Sequence, residues 1–305
     1  MDRLRGGLGA VFSQGPGYEA QPPGSYATFD EVSGYYVDLR QKAIAPLRPR
    51  RTARGDVTSP GPTALAQRAL GLYDRYLAGQ DDTPRAFLDS IAKLLAEAKR
   101  SDGFPLWYYS VSVPKYARMA PWLSCMAQGQ AASALTRAFL LTGDPQFAED
   151  AERGALAVAH FGTREGLLVP TPAGPIPQEC PSDPPSHILN GWIYFLWGLS
   201  DVARALNSAE AMSLFDRCTE ALRLRIKEYD LGWWSRYSLY PPIAPDLAKP
   251  FYHRIHVVQM QMMYRMTQLQ EFNDVSVSWQ QALHLKNSTR AVALLAVRAA
   301  RTRRS

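Results

Sequence analysis

Apolar residues recur at three- and four-residue steps from about residue 61 onward, and this spacing predicts helices arranged in pairs. Over Pro62 to Leu77 the periodic positions are Leu65, Ala69, Leu72 and Tyr76; Asp82 to Lys99 continues with Phe87, Ile91, Leu94 and Leu95. An irregular aromatic stretch follows between 101 and 122. Ser124–Leu141 then reads as a helix stopped at Thr142-Gly143, with Asp144 as the cap of a second helix running to about His160. Ser186–Leu206 and Ser208–Lys227, joined at Asn207, form the next pair. Tyr252–Leu269 and Asn273–Leu285 form the last, and a final helix covers roughly 288–302.

Long loops rich in proline and aromatic residues separate these pairs, notably 162–184 and 228–250. The hairpins share no visible sequence identity, so they are not a true repeat array. Helical hairpins of this kind close into an α/α toroid, with the long loops gathered around a ligand cleft at one end. An open solenoid would have shorter and more uniform loops. The expected fold is therefore mainly α, a toroid or barrel of helical hairpins over 61–305. Residues 1–60 read as a flexible arm, with one short β-like piece, Gly34 to Leu39, and then a Pro/Arg-rich link; a hairpin lying on the main body would fit it.

Composition narrows the class. The chain has 305 residues, 46% hydrophobic and 20% charged, which excludes wholesale disorder, collagen and coiled coil. No stretch approaches the roughly 20 apolar residues of a membrane span. Aromatic residues at 11% suit sugar faces, although large cores use the same side chains. The net charge of +6 slightly favours anionic partners, but much of the excess sits between Arg298 and Arg304, where a solvated basic end is the simpler reading. Nucleic acid is not an expected partner. Cys125, Cys180 and Cys218 have no paired spacing, and the first residues lack an apolar signal region; both point to a reducing, cytoplasmic setting.

Candidate chemistry sits in the loops. Glu179 lies among prolines just before a helix, placed either as a general base or as a complement to the helix dipole. Asn190-Gly191 interrupts an apolar helix, so Asn190 faces either a ligand or a satisfied buried partner. Tyr237, Tyr240 and Tyr252 are phenolic acids, bases or wall residues. With a reference pKa near 10, a tyrosine base needs a cation beside it, such as Arg236, Lys249 or Arg254. His253 and His256 fall three apart, but without a third ligand they read as hydrogen-bonding or substrate-facing groups rather than a metal pair. Gln128-Gly129-Gln130 within a buried helix signals close packing or a cavity lining. There is no Gly-rich phosphate loop, HExxH or GxSxG pattern.

Four ordered blocks resemble the D-glucuronyl C5-epimerase family. They are Trp122 to Ala131 followed by Leu135 to Asp144; Glu179-Cys180-Pro181 followed by Leu189-Asn190-Gly191; Tyr229-Asp230, Tyr237 and Ala244 to Ala248; and Tyr252 to His256. The resemblance spans 122–265 and implies the family's catalytic α/α-toroid domain, which turns glucuronate into iduronate residues in heparan-type polysaccharides. It implies Glu179, Tyr237 and Tyr252 as catalytic groups, with Cys180 standing where the family has a tyrosine. A thiol is shorter than a phenol and has a different pKa, near 8.5, so Cys180 is also a candidate proton-transfer group. Asn190, Arg236, Lys249 and His256 are candidates for holding the substrate carboxylate; His253, Gln128 and Gln130 are further binding candidates.

The reaction so implied needs no redox cofactor and no metal. The expected partner is a uronate-containing polysaccharide, and because family members often dimerise, a homodimer is expected as well. Two other functions share these features. A uronate lyase has the same first step, and a non-catalytic binder of anionic glycans would use Trp233 and Trp234 as platforms.

Overall fold

The computed structural model describes residue 24 and residues 32–51, 55–80, 83–240 and 245–302. Four helical hairpins form the body: α2 (Pro62–Leu77) with α3 (Thr83–Ala96), α4 (Cys125–Thr142) with α5 (Pro145–His160), α7 (Leu189–Leu206) with α8 (Ala209–Arg225), and α9 (Pro250–Thr267) with α10 (Gln270–Gln281). A short α1 (Arg40–Ile44) precedes them, α6 (Gly162–Glu165) follows α5, and α11 (Leu285–Thr302) ends the described chain. The first helix of each hairpin packs on the first helix of the next, α2 on α4, α4 on α7 and α7 on α9. Their partners lie outside. This is the α/α-toroid arrangement expected from the helical spacing.

The helix boundaries follow local chemistry. The Ser124 hydroxyl accepts from the N–H of Ala127 at the start of α4, Asp144 accepts from Gln146 at the start of α5, and Ser208 accepts from Ala211 at the start of α8. Gly143 and Asn207 end α4 and α7 in the left-handed conformation. Helix α4 is buried from Cys125 through Ala138, which places it at the centre of the fold. It crosses α7 at unusual proximity: a Cβ on Gly198 would stand 2.3 Å from the Gly129 carbonyl oxygen. The glycine between Gln128 and Gln130 is thus explained by backbone approach.

The aromatic piece Gly34 to Leu39 belongs to the core. Tyr35, Tyr36, Val37 and Leu39 are buried, and the Gly24 N–H donates to the Tyr36 carbonyl at 2.9 Å. A buried ion pair, Arg137 to Asp201 at 2.6 Å, clasps this segment. Arg137 also donates to the carbonyls of Ser33 and Gly34, and the Tyr36 hydroxyl donates to Asp201. Removing either member of such a pair leaves a buried charge uncompensated. Residues 33–39 thus pack against the helices that follow the boundary placed at residue 60. About half of the expected arm, 1–23, 25–31 and 52–54, lies outside the described residues.

Among the described residues five two-stranded ladders decorate the loops, all antiparallel: β1 (Arg50–Arg51) with β2 (Val57–Thr58), β3 (Lys99–Ser101) with β4 (Phe104–Leu106), β5 (Tyr108–Tyr109) with β6 (Trp122–Leu123), β7 (Leu168–Val169) with β8 (Ile176–Pro177), and β9 (Arg236–Ser238) with β10 (Asp246–Leu247). The β7–β8 ladder leads into Glu179, and the β9–β10 ladder carries Tyr237.

Candidate active site

A cleft of about 520 Å³ opens where the first turns of the four inner helices meet. Thr63 comes from α2, Met126 from α4, Asn190 from α7 and Tyr252 from α9; Glu179 and Tyr109 complete the wall. First-turn residues of four helices line one space, and the positive ends of the helix dipoles there favour a bound anion.

Glu179 is the central ionisable group of this wall. It packs directly on the first turn of α7: a Cβ built on Gly191 would stand 2.3 Å from its Oε2 and 2.4 Å from its own Cβ. Oε2 is buried and has no hydrogen-bond partner among the described residues. Burial pushes the carboxyl up to about 7; the Gly191 backbone, the charge of Lys115 and the Asn190 side chain hold it from rising further. A carboxyl balanced near neutral pH is suited to accepting and releasing a proton.

Beside it stands a phenol cluster. The rings of Tyr237 and Tyr252 are 4.7 Å apart and tilted by 57°. Lys115 reaches over the Tyr237 ring at 5.2 Å and pairs with Asp246 at 2.6 Å, and Asp246 in turn accepts from Ser238. Burial, and then the negative charge of Glu179, push the Tyr237 phenol well above 10, so it stays protonated at neutral pH. Lys115 lies in the irregular 101–122 stretch, where no periodicity or motif singled it out. Its place beside Tyr237 comes from the long-range pairing with Asp246.

The remaining sequence candidates divide sharply. Asn190 lines the cleft, with its Oδ1 buried and unpartnered among the described residues. Gln130 lies under the cleft floor and accepts from Gln67, a lining residue, at 3.3 Å. Gln128 is committed elsewhere: its oxygen accepts from the Trp107 N–H and its amide donates to the carbonyls of Pro105 and Gly154. This is structural pairing, not a binding surface.

His253 and His256 line no part of this cleft, and of the two readings left open by the sequence the hydrogen-bonding one holds. Both are fully buried, and both Nδ1 atoms lie within hydrogen-bond distance of Ser235 Oγ, at 2.8 and 2.9 Å. Burial lowers His253 to about 4 and His256 well below its usual value, so both are neutral at pH 7. They clamp the residue just before β9 and thereby hold Tyr237 in place. Trp234 is likewise buried, stacked on His253 at 3.7 Å with its indole N–H donated to the Ala248 carbonyl. Trp233 sits under the Arg290 guanidinium at 4.1 Å. Neither tryptophan lines the cleft. Arg236 lies near Glu228 and Tyr229, and Lys249 is an exposed cap of α9; they too are absent from the lining.

Cys180 is buried in a small apolar cluster with Tyr109, Tyr116, Trp122 and Ile188. Burial, with the Glu179 charge beside it, pushes its thiol up to about 12. A thiol so placed stays protonated and does not exchange protons readily, so its packing and not its acidity suits the site. Among the described residues no cluster of His, Cys, Asp or Glu could hold a metal ion, and no helix is long and apolar enough to cross a membrane.

Comparison with known proteins places this geometry in a lineage. A D-glucuronyl C5-epimerase of Caenorhabditis elegans is 30% identical over 164 residues, covering 48% of this chain and 26% of that protein. A protein of Methanocaldococcus jannaschii is 23% identical over 217 residues, covering 66% of this chain and 64% of its own length. The chain thus spans less than two thirds of these relatives. Among solved structures, an unsaturated glucuronyl hydrolase from Bacillus sp. GL1 superposes with a TM-score of 0.51 at 14% identity, over 72% of this chain and 61% of that one. A D-mannose isomerase superposes with a TM-score of 0.50 at 11% identity, over 73% and 58%. These two establish the fold alone. The family model for the D-glucuronyl C5-epimerase C-terminus matches residues 101–281, which hold Glu179, Asn190, Tyr237 and Tyr252. By that match the chain belongs to the D-glucuronyl C5-epimerase family.

Proposed function

We propose that the cleft inverts C5 of glucuronate residues in a polysaccharide, with Glu179 as the base and Tyr252 as the acid. The observation that carries this reading is the buried Glu179 carboxyl, balanced near pH 7 and lining the same cleft as Tyr252. A C–H beside an ionised carboxylate is a very weak acid, so that carboxylate must be neutralised by donors and positive potential. The converging helix N-termini and the Asn190 amide supply both.

In this scheme Glu179 takes the C5 proton, and the C–H electron pair delocalises into the substrate carboxylate. Tyr252 then gives its phenolic proton to the opposite face, forming the new C5–H bond. Glu179 releases its proton, and the tyrosinate at 252 regains one through the neighbouring Tyr237 phenol or water. No redox cofactor enters, since the net oxidation state is unchanged. Tyr252→Phe should abolish iduronate formation while fold and glycan binding persist, with any remaining C5 exchange confined to the face of Glu179; normal epimerisation in that variant contradicts the assignment. A lyase would share the abstraction step and then expel the C4 substituent, so ultraviolet absorbance from an unsaturated product separates it from an epimerase.

A further inference from the structure

We propose that Arg50, with Arg48, forms an anion subsite that docks the glycan through a carboxylate or sulfate next to the reacting residue. The inference rests on the glycan-processing reading for its substrate class. It concerns the Pro/Arg-rich segment that runs from the end of α1 into β1, which lies outside the stretch matched to the epimerase family.

The link runs along the cleft mouth. Ala45, Leu47, Arg48 and Arg50 all line it, facing Phe251 and Tyr252 of α9 as well as Thr63 of α2. The segment therefore walls the space between the first and last inner helices. Two anchors hold it: Arg68 donates to the Ala45 carbonyl at 3.1 Å, and the β1–β2 ladder fixes its far end. Pro46 and Pro49 restrict the backbone between them.

Arg50 is pre-oriented. Its Nε donates to the Pro60 carbonyl at 3.0 Å, and its guanidinium lies over the Tyr109 ring at 5.1 Å. Tyr109 is itself fixed, stacked on Trp122 at 4.4 Å with its hydroxyl donating to Thr63. A planar guanidinium held at its Nε presents its remaining N–H donors to an anion in the fork geometry that carboxylates and sulfates accept. Among the described residues lining the cleft, the cations are Lys42, Arg48 and Arg50, and Glu179 is the only acid. That imbalance exceeds what one reacting carboxylate requires, and it suits a polymer carrying repeated anionic groups. Arg236 and Lys249, the cations expected from sequence to hold the substrate, line no part of this cleft.

The experiment measures C5 exchange kinetics and direct glycan affinity for the wild type and for Arg50→Ala, Arg50→Lys, Arg48→Ala and Arg153→Ala. Arg153 pairs with Glu149 away from the cleft and controls for net charge. Thermal unfolding of each variant checks the fold. The probes are a polymer of alternating glucuronate and N-acetylglucosamine, and its N-sulfated form. Arg50→Ala should weaken affinity and raise KM about tenfold on at least one probe with kcat changed little, and should flatten the salt dependence. Arg50→Lys should recover only part, Arg48→Ala should weaken binding less, and Arg153→Ala should match the wild type. An Arg50 effect on both probes assigns a neighbouring carboxylate; an effect confined to the sulfated probe assigns a sulfate. A folded Arg50→Ala protein with unchanged affinity and KM overturns the subsite and leaves the epimerase reading standing. Lost glycan affinity in that variant, from a wild type that binds but never exchanges C5, upholds the subsite and overturns the epimerase reading. A wild type that binds neither probe overturns both.

Discussion

The carboxyl group of Glu179 occupies the space that a side chain at position 191 would fill: a Cβ on Gly191 would come within 2.3 Å of Oε2. The absence of a side chain there lets the acid rest on the first turn of α7, buried yet beside a helix N-terminus. Gly191→Ala should therefore displace Glu179. Because the contact also involves the Glu179 Cβ, a rotamer change alone does not relieve it. A loss of stability of about 1–3 kcal/mol is expected, typical of overpacking, together with loss of turnover. Denaturant unfolding and an exchange assay on the same preparation check both halves.

Glu179 should also leave a mark on stability. Its carboxyl is about 7 in the folded protein against 4.5 as the reference. Between those values the folded chain holds a proton that the unfolded chain has lost, so stability falls as pH rises through the window. The full effect is about 3 kcal/mol at high pH. Glu179→Gln lacks it. The stability of that variant relative to wild type should rise from pH 5 to pH 8 in urea titrations; a pH-independent difference would refute the burial argument. In kinetics, kcat/KM of the wild type should climb with pH to a plateau above about 7.

The histidine clamp has the opposite sign. His253 is lowered to about 4 by burial, and His256 lies well below its reference of 6.5. The unfolded chain binds these protons first as pH falls, so stability is complete above 6.5 and declines toward 4. Replacing His256 by Phe should reduce the slope of that decline by about one proton. This is best read in the Glu179→Gln background, because the two windows overlap.

Lys115 links Asp246 to the Tyr237 ring and lowers Glu179. Lys115→Met should move the acid limb of kcat/KM to higher pH and leave the nearly buried Asp246 without its cation. The lysine is partly exposed, so solvent screening limits the stability cost to about 1 kcal/mol. Lys115→Arg should restore most of the limb position, and an unmoved limb in the Met variant would remove Lys115 from the site.

Much of this arrangement could be read from the sequence. Helix periodicity and the caps at Ser124, Asp144 and Ser208 locate the hairpins, because those signals are local. Glu179, Asn190 and Tyr252 line one cleft because the motifs that carry them lie at or beside the starts of inner helices, which gather at one end of the toroid. The failures have a common cause. His253 and Gln128 are polar residues on buried helices, and sequence cannot tell a ligand-facing amide or imidazole from one paired inside the core. The cations went wrong for a related reason: Arg236 and Lys249 are near Tyr237 and Tyr252 in sequence, whereas Lys115 and Arg50 reach the site only through tertiary contacts.

The most direct measurement follows C5–H of a glucuronate polymer by NMR while the purified protein acts on it in deuterated water. The account predicts deuterium at C5 together with new iduronate signals, both lost in Glu179→Gln, the iduronate signals lost in Tyr252→Phe, and both kept in Cys180→Ser. Bound polymer with no deuterium at C5, across sulfated and non-sulfated forms, would contradict it.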